Sequence, residues 1–231
     1  AYAMYLAGMD VKDVHMTDLI SGRETLADVN MIVFVGGFSN SDVLGSAKGW
    51  AGAFLFNPKA RQALDRFYER SDTLSLGICN GCQVMTELDL VYPGRMAHPR
   101  MHLNDSGKFE SGFLTLDILP NDSVMLKSLS GSRLGVWVAH AEGKFRLPDP
   151  LESYCVPAKY SYPGYPANPN GSPAGIAAIC SEDGRHLAMM PHLERAFLPW
   201  QWPHYPAGRK GDEATPWLEA FVNARNWIRN R

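Results

Sequence analysis

Two continuous apolar runs stand out in the first third of the chain, Val29-Asn-Met-Ile-Val-Phe-Val35 and Leu74-Ser-Leu-Gly77-Ile78. Runs without polar alternation predict strands buried on both faces, as in a parallel sheet covered by helices. Between them Ala60, Ala63, Leu64, Phe67 and Tyr68 recur at helical spacing. This predicts a helix over 58–70, with Asn57 as N-cap and Pro58 in its first position. Ala1 to Gly8 reads as the last turns of an amphipathic helix closed by Gly8, and Val11 to Met16 alternates as a strand would. Residues 18–25 read as a loop, 39–56 as an irregular loop with one helical turn, and Gln83 to Leu88 as helix. Alternating helices and apolar strands predict an α/β sheet whose ligands lie beyond the carboxyl ends of the strands.

From about Gly112 the pattern changes to short strand-like runs separated by Gly, Pro and Asn: 113–119, 134–138, 144–147, 153–156, 175–180 and 186–190. These predict an additional, mostly antiparallel portion, with Asn170-Gly171 a candidate hairpin turn. Pro216 to Arg229 returns to helix, with Thr215 as its cap. No repeat or low-complexity linker interrupts residues 1–231, so one domain is expected.

Composition narrows the function classes. A net charge of -2 without a basic stripe argues against nucleic acid and anionic membrane as partners. No apolar run is long enough to span a membrane, and the first residues lack the basic region of a secretory signal. Four cysteines are too few for a disulfide scaffold in 231 residues. The expectation is a reduced, cytoplasmic enzyme. A parallel α/β domain ordinarily begins with a strand, and none precedes the first helix here, so the chain is expected to be a fragment of a longer polypeptide.

The chemistry concentrates at Gly77-Ile-Cys79-Asn80-Gly81. A strand that turns sharply into a helix needs small residues two positions either side of the corner, which gives G-x-C-x-G, the cysteine form of the nucleophile elbow. Such a corner projects Cys79 from the sheet and places it at a helix N-terminus, which lowers thiol pKa and offers N–H groups to an oxyanion. A base is needed, and His192 lies just past a strand, two residues before Glu194. In extended backbone both project to one side, so the carboxylate can orient the ring. Gly36-Gly37-Phe38 ends the other apolar strand, where backbone can approach a ligand. Cys79 and Cys82 also form C-x-x-C, which leaves a redox pair or half a zinc site as alternatives, although no second C-x-x-C exists. Cys82 otherwise packs in the first helical turn, and Cys155 and Cys180 read as buried structural thiols. His140-Ala-Glu142-Gly143 either lines a pocket or closes a turn. No nucleotide-binding glycine motif is present.

Together with Pro191-His192-Leu193-Glu194-Arg195, the elbow resembles the triad-type (class I) glutamine amidotransferases. Gly36-Gly37-Phe38-Ser39, Asn168-Pro-Asn-Gly171-Ser and the tail from Trp200 to Trp217 are similar, more narrowly, to the C-terminal glutaminase domains of large single-chain phosphoribosylformylglycinamidine synthases. The resemblance implies a flavodoxin-like, mostly parallel sheet flanked by helices. It also implies a Cys79–His192–Glu194 triad acting on L-glutamine through a γ-glutamyl thioester. Gly37 and Asn80 would supply oxyanion N–H groups, and Gly36, Phe38 and Gln83 would bind substrate. Ammonia would pass to a synthetase domain of the same polypeptide, which would use ATP and Mg to convert formylglycinamide ribonucleotide to the amidine. This segment itself would need no cofactor or metal. Two departures stand out. Leu193 replaces the proline usual between the histidine and glutamate, and the family's first strand is expected to be missing. A separate glutaminase subunit, another Cys-elbow hydrolase and a silent glutamine-sensing module are the rival readings.

Overall fold

In a computed structural model describing residues 1–231, the elbow strand is wholly enclosed: every residue of β2 (Leu74–Ile78) is buried. It pairs in parallel with β1 (Met31–Phe34) on one side and β9 (His186–Met189) on the other. Continuous apolar sequence thus marks a strand with neighbours on both edges and cover on both faces. The helices around this parallel part are α1 (Tyr2–Leu6), α2 (Met16–Ser21), α3 (Lys48–Phe56), α4 (Pro58–Glu69) and α5 (Asn80–Glu87). The Asn57 side chain accepts from the Lys59 and Ala60 amides, as an N-cap should. Its helix α4 buries Ala60, Ala63, Leu64 and Phe67, the face read from the sequence.

The sheet continues beyond β9 as antiparallel strands, in the order β1-β2-β9-β8-β7-β4-β5. These are β4 (Glu110–Ile118), β5 (Arg133–His140), β7 (Cys155–Tyr160) and β8 (Ile176–Cys180). A separate two-stranded sheet joins β3 (Arg100–His102) to β6 (Lys144–Arg146). The α/β class with an appended antiparallel portion is therefore as expected, and 50 buried hydrophobic residues form one cluster that runs through both portions. At the end of the chain α6 (Trp217–Arg229) packs near α1. Thr215 Oγ1 accepts from the Trp217 amide at 3.3 Å, and the fully buried Trp217 indole donates to Gly135 O of β5 at 2.7 Å.

Four local expectations are corrected. Residues 11–15 form no strand: the sheet ends at β1, which pairs only with β2. His15 instead caps α2, a helix within the expected loop 18–25, and Lys12 pairs with buried Glu24. The stretch 48–56 is a nine-residue helix rather than irregular loop. Trp50 and Phe54, four residues apart, both meet Phe34 edge-on, and this packing overrides the weak helix propensity of Gly49 and Gly52. Asn170-Gly171 closes no tight hairpin. It lies inside the long 161–175 connection, where Gly171 has φ +74 and a Cβ would come 2.0 Å from Asp105 Oδ2.

Candidate active site

The three parallel strands deliver their carboxyl ends to one place: Gly36-Gly37 after β1, Cys79 after β2, and His192 to Glu194 after β9. Cys79 sits at φ +52, ψ −106, a conformation costing a non-glycine residue about 1–3 kcal/mol. Its amide donates to Met189 O at 2.9 Å, which ties the corner to β9. The flanking glycines are steric necessities. A Cβ on Gly77 would lie 2.6 Å from Gly81 O, and one on Gly81 would lie 1.9 Å from Phe34 O.

His192 is almost fully buried and held from two sides. Its amide donates to Trp137 O of β5 at 2.8 Å, and its Nδ1 meets Glu194 Oε1 at 2.6 Å. Leu193, which replaces the proline of the family motif, is buried within a 3-10 turn, and that turn brings Glu194 back onto the ring. Nε2 has no partner within the chain. A Cβ placed on Gly36 would fall 2.8 Å from His192 Cε1 and 3.5 Å from Cys79 Cβ, so the ring and the nucleophile are neighbours across that glycine. The nucleophile, base and orienter named from sequence are thus brought together.

The Asn80 amide faces the Cys79 sulfur. The Gly37 amide makes no hydrogen bond within the chain, and Gly37 has φ +130 with open space where a Cβ would be. Of the two expected oxyanion donors, the Asn80 amide faces the thiol and Gly37 follows Gly36, which abuts Cys79. The Asn80 side chain donates to Gln83 Oε1 at 2.9 Å and Asp42 Oδ1 at 3.2 Å, and accepts from the Ser39 amide at 3.4 Å. It therefore fastens the 38–42 loop to α5. Gln83 is buried, and its Nε2 donates to Glu142 O at 2.8 Å, so both ends of its amide are engaged within the chain. Phe38 is 66% exposed and packs on Phe109 at the rim.

Burial pushes the Cys79 thiol up to about 11, against the lowering expected from the helix N-terminus; the Asn80 amide opposes the rise but does not overcome it. Cys82 is wholly buried, and burial pushes its thiol up as well. No three His, Cys, Asp or Glu side chains converge in a metal-binding arrangement. The turn His140 to Gly143 both links β5 to β6 and reaches the site through Glu142 O. His140 is buried, with both ring nitrogens unpaired and its pKa pushed down to about 4 by burial. Sequence reading did not foresee Asp42, Trp137 O or Ala139 O, which lies 3.4 Å from Cys79 Sγ. The last two are main-chain groups and have no sequence signal. A cavity of about 610 Å³ between residues 105–108 and 163–172 is lined by none of Cys79, His192 and Glu194.

Cys79, His192 and Glu194 thus meet at the carboxyl ends of three parallel strands. The chain belongs to the CobB/CobQ-like glutamine amidotransferase domain family, whose model matches residues 1–228. Among curated proteins it is 49% identical over 247 residues to a probable phosphoribosylformylglycinamidine synthase, chloroplastic/mitochondrial, of Arabidopsis thaliana. That alignment covers 98% of this chain and 18% of the plant protein. The Homo sapiens phosphoribosylformylglycinamidine synthase is 44% identical over 253 residues, again over 98% of this chain and 19% of its own length. The chain thus spans about a fifth of these relatives and is similar to their glutamine amidotransferase part. A solved structure described as PurLQS from Thermotoga maritima matches with TM-score 0.71 at 24% identity, covering 99% of this chain and 89% of its own, which supports the fold. No helix is long and apolar enough to cross a membrane.

Proposed function

We propose that this chain hydrolyses the side-chain amide of L-glutamine and supplies ammonia to a synthetase part of the same polypeptide. The observation that carries the reading is the His192–Glu194 bond at Nδ1, which leaves Nε2 unpaired on a ring that shares the Gly36 surface with Cys79. Nε2 takes the proton from Cys79 Sγ as the sulfur attacks the amide carbon. The Gly37 and Asn80 amides hold the tetrahedral oxyanion, worth about 3 kcal/mol per donor. His192 returns the proton to the departing nitrogen and ammonia leaves a γ-glutamyl thioester. The same ring then deprotonates a water that attacks the thioester, and glutamate departs as Cys79 regains its proton. Because burial disfavours the free thiolate, proton transfer to His192 has to accompany attack, which makes the base indispensable. Gly36 and Phe38 line the substrate side. Gln83 acts there by holding Asn80 and Glu142 and by exchanging its Glu142 bond for the amino-acid end of glutamine.

The relatives' names supply the destination. In them, ammonia would serve formation of phosphoribosylformylglycinamidine from formylglycinamide ribonucleotide in purine biosynthesis. ATP and Mg would be held by the synthetase part, since this chain has no phosphate-binding glycine motif. All four cysteines are free, which suits a reducing compartment such as the cytoplasm. A glutamine-like electrophile should label Cys79 and leave a Cys79→Ala variant unlabelled. Modification of Cys82 instead would remove the nucleophile assignment.

A further inference from the structure

One pair of side chains far along the sheet carries chemistry that glutamine hydrolysis does not use. Cys155 opens β7, Cys180 closes β8, and the two are directly opposed in the antiparallel ladder. Opposed residues in such ladders have Cα atoms about 4.5–5.5 Å apart, inside the roughly 4.4–6.8 Å that a disulfide bridges. Both thiols are reduced, and each lies within hydrogen-bonding reach of the other. We propose that Cys155 and Cys180 form a reversible cross-strand disulfide, closed by exchange with a low-molecular-weight disulfide of the glutathione type.

The two cysteines divide the labour by access. Cys155 is half-buried and reachable from solvent, whereas Cys180 is fully enclosed. The neighbouring Cys180 thiol pulls the Cys155 pKa below its ordinary value, which favours Cys155 as the attacking thiolate. The Cys155 thiolate attacks the external disulfide, forms a mixed disulfide and expels one thiolate. Cys180 then passes its proton to that leaving thiolate, attacks the Cys155 sulfur and expels the second. Two protein thiols are oxidised and one external disulfide is reduced to two thiols. The backbone suits this closure. A register shift between Cys155 and Ala158 gives β7 local slack. The Tyr92 hydroxyl accepts from the Cys155 amide at 2.8 Å and donates to Cys180 O at 2.7 Å, bracing both strands across the pair. Cys79 and Cys82 are poor competitors, since burial raises both of their thiols.

The test is to titrate the intact protein with oxidised glutathione, quench with iodoacetamide, and map the thiols after cleavage at Lys159, which separates the two cysteines. The expected result is a dithiothreitol-reversible link between the Cys155 and Cys180 peptides, with Cys79 and Cys82 alkylated. Tm should rise by about 5 °C, because the bond closes a loop of roughly 25 residues. In Cys180→Ser, Cys155 should stop at the mixed disulfide. In Cys155→Ser, Cys180 should stay unmodified. Cys180→Ala serves where the serine variant folds poorly, because it buries no hydroxyl. A link to Cys79 or Cys82, a mixed disulfide persisting on Cys155 in the unaltered protein, or Cys155 recovered fully alkylated would each overturn the proposal.

Discussion

The parallel and antiparallel portions of the sheet contribute to the site in different ways. β1, β2 and β9 present side chains and glycines at their carboxyl ends: Gly36, Cys79, and the His192–Glu194 pair. The antiparallel portion presents main-chain oxygens. Trp137 O accepts from the His192 amide, and Ala139 O faces the Cys79 sulfur. Reactive groups thus come from strands that all point one way, because parallel strands bring their carboxyl ends to one edge. Positioning comes from a neighbouring strand whose side-chain identities matter less than the path of its backbone. Substitutions should therefore do most damage at the parallel strand ends, and changes elsewhere should alter stability without altering chemistry.

The largest expected effect falls on the orienter. Glu194→Gln keeps the volume but removes the charge that fixes the His192 tautomer, and kcat for glutamine hydrolysis should fall by about 10³–10⁴-fold with the fold intact. Steady-state kinetics beside a circular dichroism spectrum measure this; a loss under tenfold would mean that the ring keeps its working orientation without the carboxylate charge. Next come the glycines. Gly81→Ala drives a Cβ to 1.9 Å from Phe34 O, which only backbone movement can relieve, so it should cost about 4 kcal/mol or more. Gly112→Ala in β4 meets nothing within 4 Å and should stay within about 0.5 kcal/mol. Denaturant midpoints of the two variants compare the halves directly, and equal losses would defeat the contrast.

Acid should weaken both halves together. Burial pushes His140 in β5 and His186 in β9 down to about 4. The unfolded chain, with ordinary histidines near 6.5, binds more protons between those values. The stability contributed by the neutral rings is complete above about pH 6.5 and is lost as pH falls toward 4, by about 3 kcal/mol for each ring. His186 lies away from the triad and meets Ser75 Oγ at 3.0 Å, so His186→Asn should flatten the stability profile over this range by about half. A profile as steep as the parent's would show that other groups govern the acid response.

The same contrast explains what sequence could reveal. Cys79, His192 and Glu194 were legible because each belongs to a short motif whose spacing fits a strand end. The helix over Pro58–Glu69 was legible because its cap, proline and apolar face agree with one another. The helix at Lys48–Phe56 was not, since Gly49 and Gly52 weaken its propensity and only the distant Phe34 makes the Trp50–Phe54 face worth burying. Residues 11–15 failed as a strand for a complementary reason: alternation describes a face, while a ladder also needs a partner. The high thiol pKa of Cys79 was illegible too, because motif logic sees the helix N-terminus and misses the depth of burial around the sulfur.

The smallest effect tests whether the parallel half is sensitive throughout or only at its strand ends. The Asn57 side chain satisfies two amides at the start of α4, and Asn57→Ala should cost about 1 kcal/mol. Helix α4 reaches β2 through the Tyr68–Ser75 hydrogen bond at 2.8 Å, near the opposite end of the helix from the cap. Fraying at residues 58–60 therefore leaves that contact, and the elbow beyond it, in place. The variant should melt earlier while keeping the parent kcat and KM at temperatures where both are folded. If kcat falls with stability, α4 helps to hold the elbow corner, and sensitivity extends into the helices. If kcat holds, the catalytic geometry depends on the three strand ends, and α4 contributes stability alone.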